Sequence, residues 1–156
     1  MTEQAIQELM LENFCFGCGP TNAKGLQIKS HWDGEETVCT FEAQPHHAAG
    51  PKHVLNGGII ATLIDCHGIC TAVAKAHRNA GREIGSHPLI WFVTGSLSVR
   101  YLKPTPINEP VLLRAEITEE KPKKMVVNVT VSSGGEPTAE GEVIAIRVDP
   151  KWLEAN

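Results

Sequence analysis

Asp65 is the residue of this sequence whose surroundings most clearly indicate chemistry. It lies in an apolar run with neighbours such as Leu63, Cys66 and Ile69. An ionised carboxylate without partners is costly in such surroundings. We therefore expect Asp65 to be hydrogen-bonded, to lie at a subunit interface, or to act as a base or nucleophile. A structural alternative remains, in which Thr62 or a partner strand satisfies the carboxylate.

A second candidate precedes Asp65, where the chain reads Asn56-Gly57-Gly58. If a helix begins here, the Asn56 side chain suits its N-cap, and the glycines leave backbone N–H groups accessible at the positive end of the helix dipole. Such a helix entry can bind an anion or stabilise a developing oxyanion. Alternatively, the glycines only permit a tight entry of the chain or close backbone packing.

The element that must position these residues is a long apolar helix. Almost every position from Gly57 to Ala76 is apolar, which is typical of a helix buried on all sides. Charge returns at residues 75–78, where cations suit a helix C-terminus. We place this central helix at residues 56–79. Cys66 and Cys70, which both lie on it, are expected to serve as small apolar packing.

The remaining sequence predicts an antiparallel sheet. Two strands, Leu26–Trp32 and Thr37–Ala43, meet at the hairpin dipeptide Asp33-Gly34. Four later segments alternate apolar and polar residues, and short connections rich in proline or glycine separate them. A short amphipathic helix is expected at residues 1–14. One central helix against one antiparallel sheet is an α+β fold. The four later strands are predicted at 96–101, 111–117, 125–131 and 138–148.

Length and charge exclude several classes of protein. The 156 residues indicate a single domain, 1–156. A formal charge of -4 argues against nucleic-acid binding and against a polybasic membrane anchor. No segment is interpreted as a membrane span, and the N-terminus shows no signal peptide. We expect a soluble cytoplasmic protein whose five cysteines are reduced.

Residues 56–65 read Asn-Gly-Gly-Ile-Ile-Ala-Thr-Leu-Ile-Asp, which resembles the His-Gly-Gly…Asp signature of hotdog-fold acyl-CoA thioesterases of the phenylacetate-degradation type. In that family the motif opens the central helix, and the spacing of its first and last positions is the same as here. Residues 15–20, Cys-Phe-Gly-Cys-Gly-Pro, resemble an N-terminal element common in these proteins when followed by Gly25-Leu26. Residues 97–104, Leu-Ser-Val-Arg-Tyr-Leu-Lys-Pro, resemble the strand that follows the central helix.

The resemblance implies a hotdog fold, in which an antiparallel sheet surrounds one long helix. It also implies a homodimer or homotetramer with the active site between subunits, acting on acyl-CoA. By analogy, the Gly57 N–H polarises the thioester carbonyl, with Gly58 binding substrate beside it and Asn56 in support. Asp65 of the other subunit acts as general base or nucleophile, and Thr94 supplies a hydroxyl that orients the attacking water.

The chain departs from the family pattern at two positions. Asn56 stands where the family has histidine, and Gly50 falls where many members carry a polar residue. An alternative function is therefore a non-catalytic acyl-CoA binding or sensing module with the same fold. Because a binding module has no use for a buried acidic side chain, retention of Asp65 favours the enzyme.

A third alternative is a small zinc-binding protein. The spacing Cys15-x-x-Cys18 suits a metal site, and His46 and His47 are candidates for two further ligands. A second pair of ligands with metal spacing is missing from the sequence, and the thioesterase resemblance already includes the two cysteines. We therefore expect no metal and no cofactor.

Overall fold

The computed structural model describes residues 3–154, and these form one antiparallel sheet packed against one long helix. The six strands are ordered β1-β2-β4-β5-β6-β3. The predicted α+β fold is confirmed. The elements are β1 (Ser30–Asp33), β2 (Glu36–Phe41), α1 (Gly57–Ala80), β3 (Phe92–Tyr101), β4 (Val111–Lys121), β5 (Lys124–Ser133), β6 (Glu136–Arg147) and α2 (Pro150–Leu153), with 3-10 turns at Ile6–Leu9 and Pro45–His47.

The predicted central helix is α1, and both of its ends are capped. At the start, the Asn56 side chain accepts a hydrogen bond of 3.1 Å from the N–H of Ile59. At the end, Gly81 adopts a left-handed conformation with φ 63° and donates to the carbonyl of Arg78. Glycine adopts this conformation without steric cost, so the helix stops one residue beyond the predicted boundary.

By length and composition alone, α1 would also suit a membrane span. An 18-residue window of it has a mean hydropathy of 1.5. In the fold, however, 61% of that window is buried. A helix that is apolar on most sides packs in this way when a sheet supplies its environment.

Two glycines let α1 lie close to the sheet. A Cβ atom on Gly68 would come within 2.8 Å of Val143 in β6. A Cβ atom on Gly141, in β6, would come within 2.6 Å of Ile64 on α1. Since neither contact leaves space for a methyl group, these positions fix the depth at which α1 packs, and with it the height of Asp65 above β3.

The predicted strand from Leu26 is shorter than expected, because its first residues do not join the sheet. The N–H of Leu26 donates to the carbonyl of Phe16, and the N–H of Ile28 donates to that of Gly17. Gln27 between them has φ 50°. The N-terminal loop therefore takes the backbone groups of residues 26–28, and β1 begins at Ser30.

The helix predicted over residues 1–14 is wrong for the described part of that segment. Only the 3-10 turn Ile6–Leu9 forms, and Met10 leaves the helical region with φ -98° and ψ 62°. The buried Gln7 side chain explains this, since it donates to the Ser30 hydroxyl (2.8 Å) and accepts from the Ser30 N–H (2.7 Å). These bonds hold the turn against β1, and residues 1 and 2 lie outside the described range.

A buried polar cluster joins α1 to the first hairpin. His67 is completely buried, with the Ser30 hydroxyl 2.8 Å from its Nδ1 and the Thr37 hydroxyl 3.2 Å from its Nε2. Thr71 contacts the Thr37 hydroxyl at 2.6 Å. Burial lowers the pKa of His67 to about 4. The imidazole is therefore neutral at physiological pH and serves as a hydrogen-bonding link in the core.

Candidate active site

The structure brings two of the predicted site residues, Asp65 and Thr94, into direct contact. Asp65 projects from the third turn of α1, and Thr94 lies near the start of β3. The Thr94 hydroxyl donates to Asp65 Oδ1 over 2.5 Å. The alternative partner, Thr62, instead donates to the carbonyl of Gly58 within α1. The carboxylate is thus held by a strand at the sheet edge and not by its own helix.

The environment of Asp65 favours its neutral form. Partial burial raises the pKa of Asp65 above its ordinary value. The hydrogen bond from Thr94 acts in the opposite direction, while the nearby Cys18 sulfur raises the pKa further. A half-buried carboxylate with a raised pKa is a stronger base than an exposed one, which suits it to accept a proton from water.

The predicted oxyanion site lies at the entry of α1. Asn56 Oδ1 is occupied by the N–H of Ile59, so this side chain acts as the helix cap. The N–H groups of Gly57 and Gly58 belong to the first turn, which has no intrahelical acceptors for them. Gly57 is half-buried and Gly58 is exposed. This entry therefore retains the free donors that an anion or an oxyanion requires.

Tyr101 contacts the predicted site, although it is not among the residues predicted from the sequence. It is the single tyrosine of the chain and lies at the end of β3. Its hydroxyl donates to the carbonyl of Gly57 over 2.6 Å, and a Cβ on Gly57 would lie 3.5 Å from that hydroxyl. A lone tyrosine on a strand is the sequence feature that could have indicated this residue. Its contact with Gly57, however, is visible only from the packing of β3 beside α1.

One chain does not assemble all the predicted residues at one point. Gly57 and Asp65 lie on the same helix, and eight residues at ~1.5 Å each separate them by about 12 Å. A thioester carbonyl cannot contact both groups across that distance. The predicted residues therefore fall into two groups within one chain, called half-sites below: Gly57 with Tyr101, and Asp65 with Thr94.

Both half-sites border β3, which forms an open edge of the sheet. β3 is the last strand in the order and pairs with β6 alone within the described residues. Thr94 to Ser98 are all exposed although successive side chains point to opposite faces. Two apolar side chains are also open to solvent, with Leu97 38% and Leu102 44% exposed. A long exposed edge strand whose backbone groups lack a partner on one side favours pairing with another chain.

The cysteines are arranged differently from the expectation. The Cys15 and Cys18 sulfurs meet Cys66 on α1, and the three sulfur atoms lie within 4.8 Å of one another. His46 and His47 do not join this group among the described residues. Their rings instead contact one another at 4.2 Å. The alternative zinc site with Cys15, Cys18 and the two histidines as ligands is therefore not formed among the described residues.

Comparison with known proteins identifies the family. Residues 52–140 match the model of the Thioesterase superfamily. This match includes more than half of the chain, together with the α1 entry, Asp65 and Thr94. The chain belongs to the thioesterase superfamily.

Three relatives illustrate this membership. Acyl-coenzyme A thioesterase THEM4 of Rattus norvegicus is 29% identical over 115 residues, which are 72% of this chain and 44% of THEM4. The chain thus spans less than half the length of this curated relative. A thioesterase superfamily protein from Shewanella loihica PV-4 is 35% identical with a TM-score of 0.64, covering 78% of this chain and 91% of that one.

The third relative is similar in fold alone. The PaaI protein of the E. coli phenylacetic acid degradation operon is 15% identical, with a TM-score of 0.68 over 91% of this chain and 90% of that chain. The sheet and central helix described above are therefore the hotdog architecture of this superfamily.

Proposed function

We propose that this protein is an acyl-CoA thioesterase that hydrolyses its substrate to a free acid and CoA. The observation that carries the proposal is the Asp65–Thr94 pair, a half-buried carboxylate held by a hydroxyl at the open edge of a thioesterase-superfamily fold. The name of the THEM4 relative supports acyl-CoA as the substrate class.

In the proposed reaction, Asp65 acts as the general base. It takes a proton from water, and the resulting hydroxide attacks the thioester carbonyl carbon. The Gly57 N–H donates to the oxyanion that forms, with the Gly58 N–H beside it. Collapse of this intermediate breaks the C–S bond, and the proton held by Asp65 passes to the CoA sulfur. Thr94 keeps one carboxylate oxygen oriented and leaves the other free for water.

A nucleophilic role for Asp65 is the competing mechanism, and isotope labelling separates the two. Direct attack by the carboxylate on the thioester carbonyl breaks the C–S bond, releases CoA as the thiolate and forms an anhydride that water then hydrolyses. If Asp65 is the nucleophile and water attacks the Asp65 carbonyl of the anhydride, a single turnover in ¹⁸O-labelled water leaves the label in the Asp65 side chain, whereas a general base leaves it only in the free acid. Trapping of the anhydride by hydroxylamine detects the nucleophile when water attacks the acyl carbonyl instead. We expect the label only in the free acid, and labelled Asp65 or a trapped anhydride would overturn the general-base role.

We further propose that each active site is shared by two copies of the chain. The separation of about 12 Å between Gly57 and Asp65 along α1 and the open edge at β3 both support this. A second chain pairing along β3 in the opposite direction would bring its own helix entry toward Asp65. A homodimer, or a homotetramer built from two such pairs, supplies two complete sites.

Measurement of thiol release from short, long and aromatic acyl-CoAs tests the function. Asp65→Asn keeps the shape of the side chain and removes its basicity, so turnover should fall by about 10²-fold or more. Glu116→Gln, an exposed carboxylate on β4, is the matched control and should retain wild-type rates. Activity that survives in Asp65→Asn would overturn the assignment.

A non-catalytic acyl-CoA binding module is the second candidate, and Asn56 favours it because the resembling family has histidine there. This candidate predicts no thiol release from any member of the panel. It also predicts that acyl-CoA binding, measured by calorimetry, is equal in wild type and Asp65→Asn. Turnover by the wild-type protein excludes it.

A complementation experiment tests the shared site. Gly57→Pro removes the N–H at the first helical position, where proline is well tolerated, and Asn56 already has the extended backbone that precedes proline (ψ 132°). Each variant alone should be inactive, but co-refolded Asp65→Asn and Gly57→Pro chains should regain about a quarter of wild-type activity through mixed dimers. No recovery in mixed dimers would show that each chain uses its own residues.

A further inference from the structure

Four of the five cysteines converge from two distant parts of the chain. Cys15 and Cys18 lie in the loop before β1, and Cys66 and Cys70 lie one turn apart on α1. Cys15 Sγ is 3.6 Å from Cys66 Sγ, and these two sulfurs lie within 4.8 Å of Cys18 Sγ. Cys70 is buried one turn further along α1 and lies outside this group of three sulfurs. The fifth cysteine, Cys39, is buried separately in β2.

The spacing of these sulfur atoms fits a tetrahedral metal site. Zinc–sulfur bonds of about 2.3 Å in a tetrahedron place neighbouring sulfurs about 3.8 Å apart. The observed 3.6 Å between Cys15 and Cys66 is close to that value. The sulfurs of Cys15, Cys18 and Cys66 all lie within 4.8 Å of one another. Side-chain movements of about 1 Å or less would therefore bring each pair to the spacing of a tetrahedral site.

The loop that carries Cys15 and Cys18 is built to present both sulfurs to α1. The N–H of Gly19 donates to the Cys15 carbonyl over 2.8 Å, which closes the turn. A Cβ on Gly17 would lie 2.2 Å from Cys66 Sγ, and one on Gly19 would lie 2.5 Å from the Cys15 nitrogen. Both positions therefore require glycine for the loop to contact the helix.

Asn13 supplies the support that a thiolate site needs around its ligands. Its side chain is 2% exposed and accepts from the Cys15 N–H over 3.0 Å. Its amide donates to Cys18 Sγ over 3.3 Å and to the Cys18 carbonyl over 3.4 Å. An N–H directed at a sulfur stabilises negative charge there and orients the ligand. A cysteine that serves only as apolar packing has no need of this bond.

We propose that Cys15, Cys18 and Cys66 bind one Zn²⁺ ion, and that Cys70, one turn from Cys66 on α1, becomes the fourth thiolate of a structural site when its side chain turns toward the ion. Binding releases four thiol protons and forms four Zn–S bonds. The ion fastens the loop that carries Cys15 and Cys18 to α1 beside Asp65. This site is independent of the thioesterase proposal, because it uses none of the residues assigned to catalysis.

Cobalt substitution tests the site without reference to activity. Under anaerobic reducing conditions, the wild-type chain should bind one Co²⁺ with the intense d–d and sulfur-to-cobalt charge-transfer bands of a tetrahedral thiolate site, and Zn²⁺ should displace it. Cys15→Ser should weaken binding by at least tenfold. Cys15 is exposed, so this variant should keep the wild-type circular dichroism spectrum. Cys39→Ser is the matched control and should bind normally.

Three results would overturn the proposal. The first is a wild-type protein without tetrahedral cobalt bands or bound zinc. The second is equal metal binding in Cys15→Ser and wild type. The third is a disulfide between Cys15 and Cys66 in protein isolated with its thiols protected from oxidation. It would be detected as an intact mass lower by two hydrogens and as linked Cys15 and Cys66 peptides, and it would assign the cluster to disulfide chemistry. Elemental analysis gives a second measurement of metal binding. Purified wild-type protein and Cys39→Ser should each contain one zinc per chain, and Cys15→Ser should contain less.

Discussion

The Tyr101 hydroxyl donates a hydrogen bond of 2.6 Å to the carbonyl of Gly57, and so ties the end of β3 to the first residue of α1. The same strand carries Thr94, which holds Asp65 on the third turn of that helix. β3 therefore contacts both half-sites. A shift of this one strand would therefore change the contacts of both Gly57 and Asp65.

Tyr101→Phe should lower catalytic efficiency without a comparable loss of stability. The variant removes one hydrogen bond from a residue that is 51% exposed, and because water can replace the lost partner there, the loss of stability should be well under the roughly 1 kcal/mol of an average hydrogen bond. Since Gly57 loses its anchor, we expect kcat/KM to fall by about 3–10-fold, with the denaturant midpoint nearly unchanged. Steady-state kinetics and urea unfolding check this. An unchanged kcat/KM would show that Tyr101 does not position Gly57.

Gly57→Pro and Gly57→Ala form a matched pair for the oxyanion donor. The first variant removes the N–H, whereas the second keeps it and places a methyl group 3.5 Å from Tyr101, an ordinary contact. Loss of one oxyanion donor costs about 10²–10³ in kcat, so Gly57→Pro should show that loss and Gly57→Ala should lose much less. Equal kcat values for the two variants would contradict donation by this N–H.

Asn56→Asp and Asn56→Ala separate the capping role of Asn56 from any role in catalysis. An aspartate retains the acceptor for the Ile59 N–H and suits the positive end of the dipole, so the unfolding free energy should be kept. Alanine loses the cap and about 1 kcal/mol of stability. Because a negative charge opposes an oxyanion at the neighbouring Gly57, Asn56→Asp should nevertheless lower kcat. Chemical denaturation and kinetics measure the two effects, and an Asp variant with wild-type kcat would contradict the site.

The buried His77 should make the protein less stable in mild acid. It is 2% exposed, its Nδ1 donates to the Val73 carbonyl over 2.7 Å, and its Nε2 has no partner among the described residues. Burial lowers the pKa of His77; the Val73 bond opposes this shift, and the charges of Arg82 and Arg147 add to it. Its contribution to stability is complete above the unfolded pKa of about 6.5 and is lost as the pH falls toward the folded value.

Urea midpoints measured at about pH 7.5 and about pH 5.5, on either side of the unfolded histidine pKa, check this prediction. His77→Asn keeps a donor for Val73 and cannot take up a proton, so its midpoint should fall less than that of wild type between these conditions. His53→Asn, at an exposed position, should behave as wild type. The acid sensitivity left in His77→Asn includes the contribution of the buried His67. If the urea midpoint of His77→Asn falls as much as that of wild type between the two pH values, the prediction is contradicted.

Local rules made several features predictable from the chain itself. The helix entry at Asn56 follows from side-chain capping, and the hairpin at Asp33-Gly34 follows from the turn conformation that glycine permits; Gly34 has φ 66°. The long apolar run predicted a buried helix. Asp65 stood out because a carboxylate is costly in an apolar run, and the glycine pair stood out because glycine is rare at the start of a long helix. These features depend on neighbours within a few residues.

Other features follow from contacts between distant parts of the chain and could not be predicted from local patterns. The bond from Thr94 to Asp65 and that from Tyr101 to Gly57 exist because β3 pairs at the sheet edge beside α1. The grouping of Cys15 with Cys66, 51 residues apart, was hidden for the same reason. The helix expected near the N-terminus failed because Gln7 is drawn to Ser30. A sequence pattern records which side chains are apolar, but the packing of α1 against the sheet determines which polar groups meet.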